Sequence, residues 1–320
     1  MMMIKPASIV PATLVASNVP KNDAAEWAPA RTDYAKGEKV IDGTHLWEWL
    51  SDTKGNTAVK PSADTTVPSK WLDTGPINQW RMFDKSAGQL ATASGAQVQR
   101  QIFQIGTKTS NPGSIDITLQ PGTVVDSVAL FGLSGYRVTI TMQDSVDGVV
   151  YGPEEVSLVD PAASNMWEWL FTRSRRRSRI VLTDLPAYGT ASIRILIEAG
   201  PGESAECAMV VVGALEELGE ALFGGGFGIT DFSTKDADAF GNETFIERGY
   251  RNRVTYPIAI YDEMVSSIRD LLIEYRTKPA VFIGDIDREW SLIYGRYKDL
   301  SVTVPQPSFS ECTLEVGELI

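Results

Sequence analysis

The sequence predicts a mainly β protein made of several small units, with one packed helix near its C-terminal end. Three observations carry this. Apolar and polar residues alternate in short runs, at Ile115, Ile117 and Leu119 and again at Tyr136, Val138, Ile140 and Met142, which is the period of two of a strand with one buried face. Turn signals such as Pro121-Gly122 and Ser134-Gly135 separate the runs. Only residues 262–276 show the three-and-four spacing of an amphipathic helix, through Met264, Val265, Ile268, Leu271, Leu272 and Tyr275.

A chain of 320 residues can bury two or three cores. Its net charge of −12 and pI near 4.7 argue against nonspecific nucleic-acid binding, which needs a basic surface. Cys207 and Cys312 lie in strand-like contexts and read as buried thiols. No run approaches the ~20 apolar residues of a membrane helix, and the stretch Ala208–Leu215 is broken by Gly213. Pro6 and Pro11 interrupt what could otherwise pass for a signal peptide. The expectation is synthesis in the cytoplasm without an export signal.

Residues 1–26 carry Pro6, Pro11 and Pro20 and read as an extended arm with at most one edge strand, either packed on a neighbouring subunit or poorly ordered. Residues 27–77 are rich in aromatics: Trp27, Tyr34, Trp47, Trp49 and Trp71, with Trp80 just beyond. Trp27, Tyr34, Gly37, Glu38, Val40, Trp47 and Trp71 fall in an order that resembles the small carbohydrate-binding modules attached to chitinases and cellulases. That resemblance implies a sugar platform on Trp47, Trp49 and Trp71, since a pyranose face stacks on an exposed aromatic ring. The other reading is that these rings form the core of a unit with little else to bury. Trp27 and Tyr34 are assigned to that core.

Residues 78–220 form the central β unit. Strands are expected near 101–105, 115–119, 124–133, 136–144, 154–158, 179–184, 191–198 and 206–214, a spacing that indicates a sandwich or barrel. The order of Ser-Ile-Asp-Ile-Thr-Leu, Val-Asp-Ser-Val-Ala-Leu, a hairpin with Asp144, Ser145, Asp147 and Gly148, and Ile193-Arg194-Ile195 resembles the galactose-binding type of jelly roll. Inside this unit Trp167 and Trp169 precede Arg173, Arg175, Arg176, Arg177 and Arg179. This basic run can bind phosphate or anionic polysaccharide, meet an acidic surface of a neighbouring subunit, or form a solvated loop.

Residues 221–320 begin with the glycine-rich joint Gly224–Gly228, which lacks the Lys-Ser/Thr of a phosphate loop. Strands are expected at 244–248, 253–261, 280–283, 291–300, 301–304 and 312–316. The helix starts at Asp262 as N-cap and ends before Pro279. One helix on an antiparallel sheet is the economical arrangement.

Catalytic constellations are thin. His45 is the only histidine, which leaves no second histidine for a triad or a zinc site and favours a structural role. Asp236, Asp238, Gly241 and Glu247 copy the frame of a calcium loop, but Phe240 stands where an oxygen ligand belongs. Asp285, Asp287 and Glu289 alternate on a loop and read as solvated. No pair of carboxylates is singled out as a glycosidase pair. No cofactor or metal is expected.

Across most of its length the chain resembles tail proteins of long-tailed bacteriophages. The residues concerned are Tyr34 to Trp71, Gly75-Pro76-Ile77-Asn78, Trp80, Met82-Phe83-Asp84, Pro121-Gly122, Asp126–Leu130, Gly132-Leu133 and Asp184-Leu185-Pro186. They continue through Asp231-Phe232-Ser233, Lys235, Asp238, Phe240-Gly241-Asn242, Tyr294-Gly295, Tyr297-Lys298-Asp299 and the closing 310–319 strand. The arginine-rich insert at 173–179 departs from that pattern, and the last unit is similar only in outline to tail-tube folds. The resemblance implies a non-enzymatic virion protein at the tail tip or baseplate. It also implies a ring of copies, contact with other tail proteins, and outward domains able to touch host polysaccharide. A dedicated carbohydrate-binding adhesin is the alternative, and a glycan hydrolase a more distant one.

Overall fold

The computed structural model describes residues 1–319 apart from 65–67, 94–95, 105, 160–165, 168–175, 238–242 and 304–308. The chain is mainly β: a small aromatic-rich sheet, a central jelly-roll sandwich, and a C-terminal antiparallel sheet with one packed helix.

The sandwich has two antiparallel layers. One is a five-stranded sheet in the order Gly148–Ser157, Arg137–Asp144, Ser192–Glu198, Ser114–Leu119, Leu14–Ser17. Its alternating residues Ile115, Ile117, Leu119, Val138, Ile140, Met142, Ile193, Ile195 and Ile197 all point into one core. Opposite them stand Val128, Leu130, Val210 and Val212 from the second sheet. The strands Ser127–Phe131 and Met209–Glu217 carry continuous apolar runs because both their faces are covered. Ala129, Phe131, Met209 and Val211 face away from the sandwich into a further core with Ile4, Val281, Ile283 and Tyr294.

That second sheet is long and curled. It runs Arg179–Leu182, Ser127–Phe131, Met209–Glu217, Met2–Pro6, Ala280–Ile283, Leu292–Thr303, Phe309–Glu318, Tyr250–Tyr261, with Glu220–Ala221 and Gly226–Asp231 both on the last. The α-helix Val265–Glu274 lays Ile268 and Leu272 against Val254, Tyr256, Ile258, Phe282, Ile293 and Leu314. A 3-10 turn, Asp262–Met264, leads into it, so Asp262 is the first residue of that turn and not the helix N-cap.

Two sequence expectations change here. Residues 1–26 are not an outlying arm, because Met2–Pro6 is an interior strand between Met209–Glu217 and Ala280–Ile283. Ile4 and Met3 are fully buried on its two faces, so burial drives the insertion. The divide placed after residue 220 falls within one continuous sheet, since Met2–Pro6 hydrogen-bonds to strands on both sides of it. At finer scale, the expected 206–214 strand is two, Ser204–Cys207 and Met209–Glu217. The two expected at 291–304 are one strand, Leu292–Thr303, with an irregularity between Tyr297 and Asp299; Val304 lies outside the described residues. The hairpin Ser86–Ala93 with Ala96–Phe103 replaces a lone strand near 101.

Candidate functional site

The aromatic module is a sheet of Ala25–Glu26, Lys39–Asp42, His45–Trp49 and Trp71–Pro76. Strand alternation gives it two apolar faces. One face packs Val40, Trp49, Trp71 and Tyr34 together. The rings of Trp49 and Trp71 meet edge-on at 4.9 Å between centroids, and those of Tyr34 and Trp71 at 5.3 Å. Trp71 Nε1 donates to Thr57 Oγ1 at 2.8 Å, and Trp49 Nε1 to the Thr53 carbonyl at 3.2 Å. The other face, with Ile41, Leu46, Ile77 and Trp80, closes against Ile9, Leu14 and Phe83.

Trp49 and Trp71 are therefore not sugar platforms. They are 2% and 0% exposed, and a unit this small has no other large side chains with which to build a core. Tyr34 joins them as expected, and Trp27 packs at their margin with its indole N–H on Asn56 Oδ1 at 2.9 Å. Trp47 is the one candidate that remains half-buried, and its buried indole N–H has no hydrogen-bond partner among the described residues.

His45 ties this module to the sandwich. Its Nδ1 lies 2.8 Å from Asp73 Oδ1 and its Nε2 3.1 Å from Asp84 Oδ2. Burial works to lower its pKa, but hydrogen bonds and charge from the two carboxylates outweigh burial and raise it to about 9. The ring is thus a doubly protonated bridge and not a general base. Burial pulls Asp84 upward, while His45 and the backbone and hydroxyl of Ser86 together carry it below the usual carboxylate range. Next to it Lys85 is buried, and burial depresses its ammonium to about 8. It donates to the carbonyl and hydroxyl oxygens of Thr107.

The surface feature that stands apart lies at 222–250. The strand Gly226–Asp231 pairs with Tyr250–Thr255, and the hairpin Thr234–Ala237 with Glu243–Ile246 extends from it. Phe223 is fully exposed, Phe227 68% and Ile229 64%; Leu222, Phe232, Phe245, Ile246 and Tyr250 are exposed as well. Phe227 and Ile229 share a strand face by alternation. Ile229, Phe245 and Tyr250 line one depression of about 460 Å³, edged by Asp231, Glu247 and Arg248. Sequence reasoning took the head of this stretch for a joint. The available signal was the set of aromatics, Phe223, Phe227, Phe232, Phe245 and Tyr250, gathered in one glycine-rich stretch.

The other distinctive surface is the basic run. Arg173 and Arg175, with Trp169, lie outside the described residues. Arg176 pairs with Glu203 at 2.8 Å, and Arg179 with buried Glu318 at 2.7 Å. Burial raises the Glu318 carboxyl, against the pull of Arg179 and Asn252. Arg177 is exposed at the head of a groove of about 560 Å³. The edge strand Arg179–Leu182 forms one wall of that groove, and 286–292, with Ile286, Asp287, Arg288, Glu289 and Trp290, forms the other. Among the described residues no group of three or more metal-ligating side chains is assembled. The calcium frame at 236–247 lies partly outside the described residues. Asp285, Asp287 and Glu289 are not all solvated: Glu289 accepts from the Ser178 backbone and hydroxyl at 2.8 Å.

No protein-family model, curated protein or solved structure matches this chain.

Proposed function

We propose that this chain is a non-enzymatic structural subunit of a bacteriophage tail, at its tip or baseplate, and that its copies assemble in a ring within the virion. The observation that carries the assembly half of this reading is the apolar arm at 222–250. Its exposed apolar residues, Leu222, Phe223, Phe227, Ile229, Phe232, Phe245, Ile246 and Tyr250, are concentrated in one stretch of chain, and clustered exposed apolar side chains, unlike scattered single ones, favour a partner surface. The bacteriophage half rests on the sequence resemblance, with other tail proteins as expected neighbours.

Burial of Trp49 and Trp71 weakens the carbohydrate-binding alternative, which now rests on Trp47 alone. Host polysaccharide is accordingly a secondary partner in this reading. Electron microscopy of the purified chain, and immunolabelling of purified virions, test the proposal. Rings in the first and label at one end of the tail in the second are expected. A chain that stays monomeric at high concentration and is absent from virions would refute it.

A further inference from the structure

We infer that the cavity lined by Phe232, Tyr250, Asn252, Arg179 and Glu318 is a binding site for a neutral glycan chain. It lies outside the aromatic module and supplies a sugar contact that Trp47 alone would otherwise carry. The host origin of the glycan rests on the reading above; the site itself is argued from its own chemistry.

The cavity measures about 390 Å³, within the range of small-ligand pockets, which gather where separate parts of a fold meet. Three parts meet here. Gly132 and Ala208 adjoin the two strands shared with the sandwich, Gly106 and Lys108 follow the hairpin that ends at Phe103, and Asn252 and Glu318 come from the far end of the long sheet.

Its polar floor is built. Glu318 is 2% exposed and accepts from Arg179 Nη2 at 2.7 Å and from Asn252 Nδ2. Arg179 also donates to the Leu292 carbonyl, and the Asn252 amide oxygen has no partner among the described residues. A carboxylate has about four acceptor positions and a guanidinium five N–H donors, so both keep capacity beyond this pair.

Charge decides what the floor can hold. Of the charged residues that line the cavity, Arg179 pairs with Glu318, and Lys108 with Glu206 at 3.4 Å. Just behind them, Glu289 accepts from Ser178, and the Arg251 guanidinium lies 5.9 Å from the centre of the Phe232 ring. Three cations thus stand against three carboxylates. An ionic ligand finds no unspent counter-charge, and an apolar one would leave the polar floor desolvated. An uncharged ligand rich in hydroxyls fits, because each hydroxyl both donates and accepts.

The rim supplies stacking surface. Phe232 and Tyr250 are 47% and 58% exposed, and the C–H face of a pyranose packs on such rings. Tyr250 also lines the neighbouring depression of about 460 Å³ with Ile229 and Phe245. One ring shared by two depressions suits a chain of sugars crossing it better than a single sugar. The other end of the exposed apolar stretch, Leu222 and Phe223, lines a separate hollow beside Trp290 and stays free for a subunit contact.

Isothermal titration calorimetry tests this with neutral trisaccharides of glucose, galactose, mannose and N-acetylglucosamine, and with trigalacturonate as the anionic control. At least one neutral series is expected to bind, and more tightly than trigalacturonate. Phe232→Ala with Tyr250→Ala, and separately Asn252→Leu, are each expected to weaken that binding by about tenfold or more, while Trp47→Ala leaves it unchanged. Far-UV circular dichroism checks folding. If Asn252→Leu does not fold, Gly249→Leu replaces it, since a side chain added at that lining position meets no atom within 4 Å. Binding that survives the cavity variants and is lost in Trp47→Ala, or a preference for trigalacturonate, would overturn the site and keep polysaccharide as a partner. Absence of binding by every trisaccharide at millimolar concentration would overturn both, and leave the assembly reading as it stands.

Discussion

Replacing His45 with Gln removes the charge that links the aromatic module to the sandwich, and the cost depends on pH in a direction the geometry fixes. The imidazolium sits between Asp73 at 2.8 Å and Asp84 at 3.1 Å, and its pKa is raised from the ordinary 6.5 to about 9. The folded-state value lies above the unfolded one. The stabilisation is therefore complete below about pH 6.5 and is lost as pH rises through about 9. At about 1.4 kcal/mol per pH unit, the full effect is on the order of 3 kcal/mol. Urea unfolding followed by tryptophan fluorescence is the assay, because five of the eight tryptophans lie between residues 27 and 80 and report on this module. The wild type should exceed His45→Gln by about 3 kcal/mol at pH 6, and the two should converge by pH 10. A gap that stays constant from pH 6 to 10, or that is missing at pH 6, would refute the argument.

Lys85 makes the opposite prediction: its pKa is depressed by burial to about 8, so raising the pH from 8 to 10.5 should stabilise the fold. Lys85→Met should abolish that rise in the same titration. Trp71→Ala should cost about 3–5 kcal/mol, as removal of a fully buried ring does, and Trp47→Ala should cost clearly less; chemical denaturation reads both. Breaking the buried Arg179–Glu318 pair with Arg179→Met should destabilise by about 3–5 kcal/mol. The double variant Arg179→Met with Glu318→Met should recover part of this in thermal melts.

Much of the sandwich was legible because its strands obey simple alternation: Ile115, Ile117 and Leu119 lie where period two puts them, in one core with Val138 and Ile140. Ala280–Ile283 and the body of the helix were equally plain, since each is an uninterrupted apolar pattern between breakers. Met2–Pro6 was not. Five residues ending in proline look like a terminus, and the strands that bury them lie more than 200 positions away. The tryptophans of the module show a related limit. Alternation says that Trp47 and Trp49 share a face, but not whether that face meets solvent or Tyr34 and Trp71. The arm at 222–250 hid for the opposite reason, because its strands are short, glycine-rich and uncovered, and local pattern alone does not distinguish them from a linker.

The placement of Met2–Pro6 has a consequence for the order of events during synthesis. This strand is made long before its neighbours, neither of which exists until residues 209–217 and then 280–283 have been synthesised. Until then its buried residues, Met3 and Ile4, have no place in the sheet. The five-stranded layer can pair its own strands from 114 to 198 while the first strand waits, but the long sheet stays split. Closing loops of this span is entropically slow. The nascent chain therefore passes through a stage in which Met2–Pro6, though made before both of its partner strands, is not yet locked into the sheet. Insertions that tether Met2–Pro6 should slow maturation more than equally bulky insertions at an exposed turn such as Ser145–Asp147.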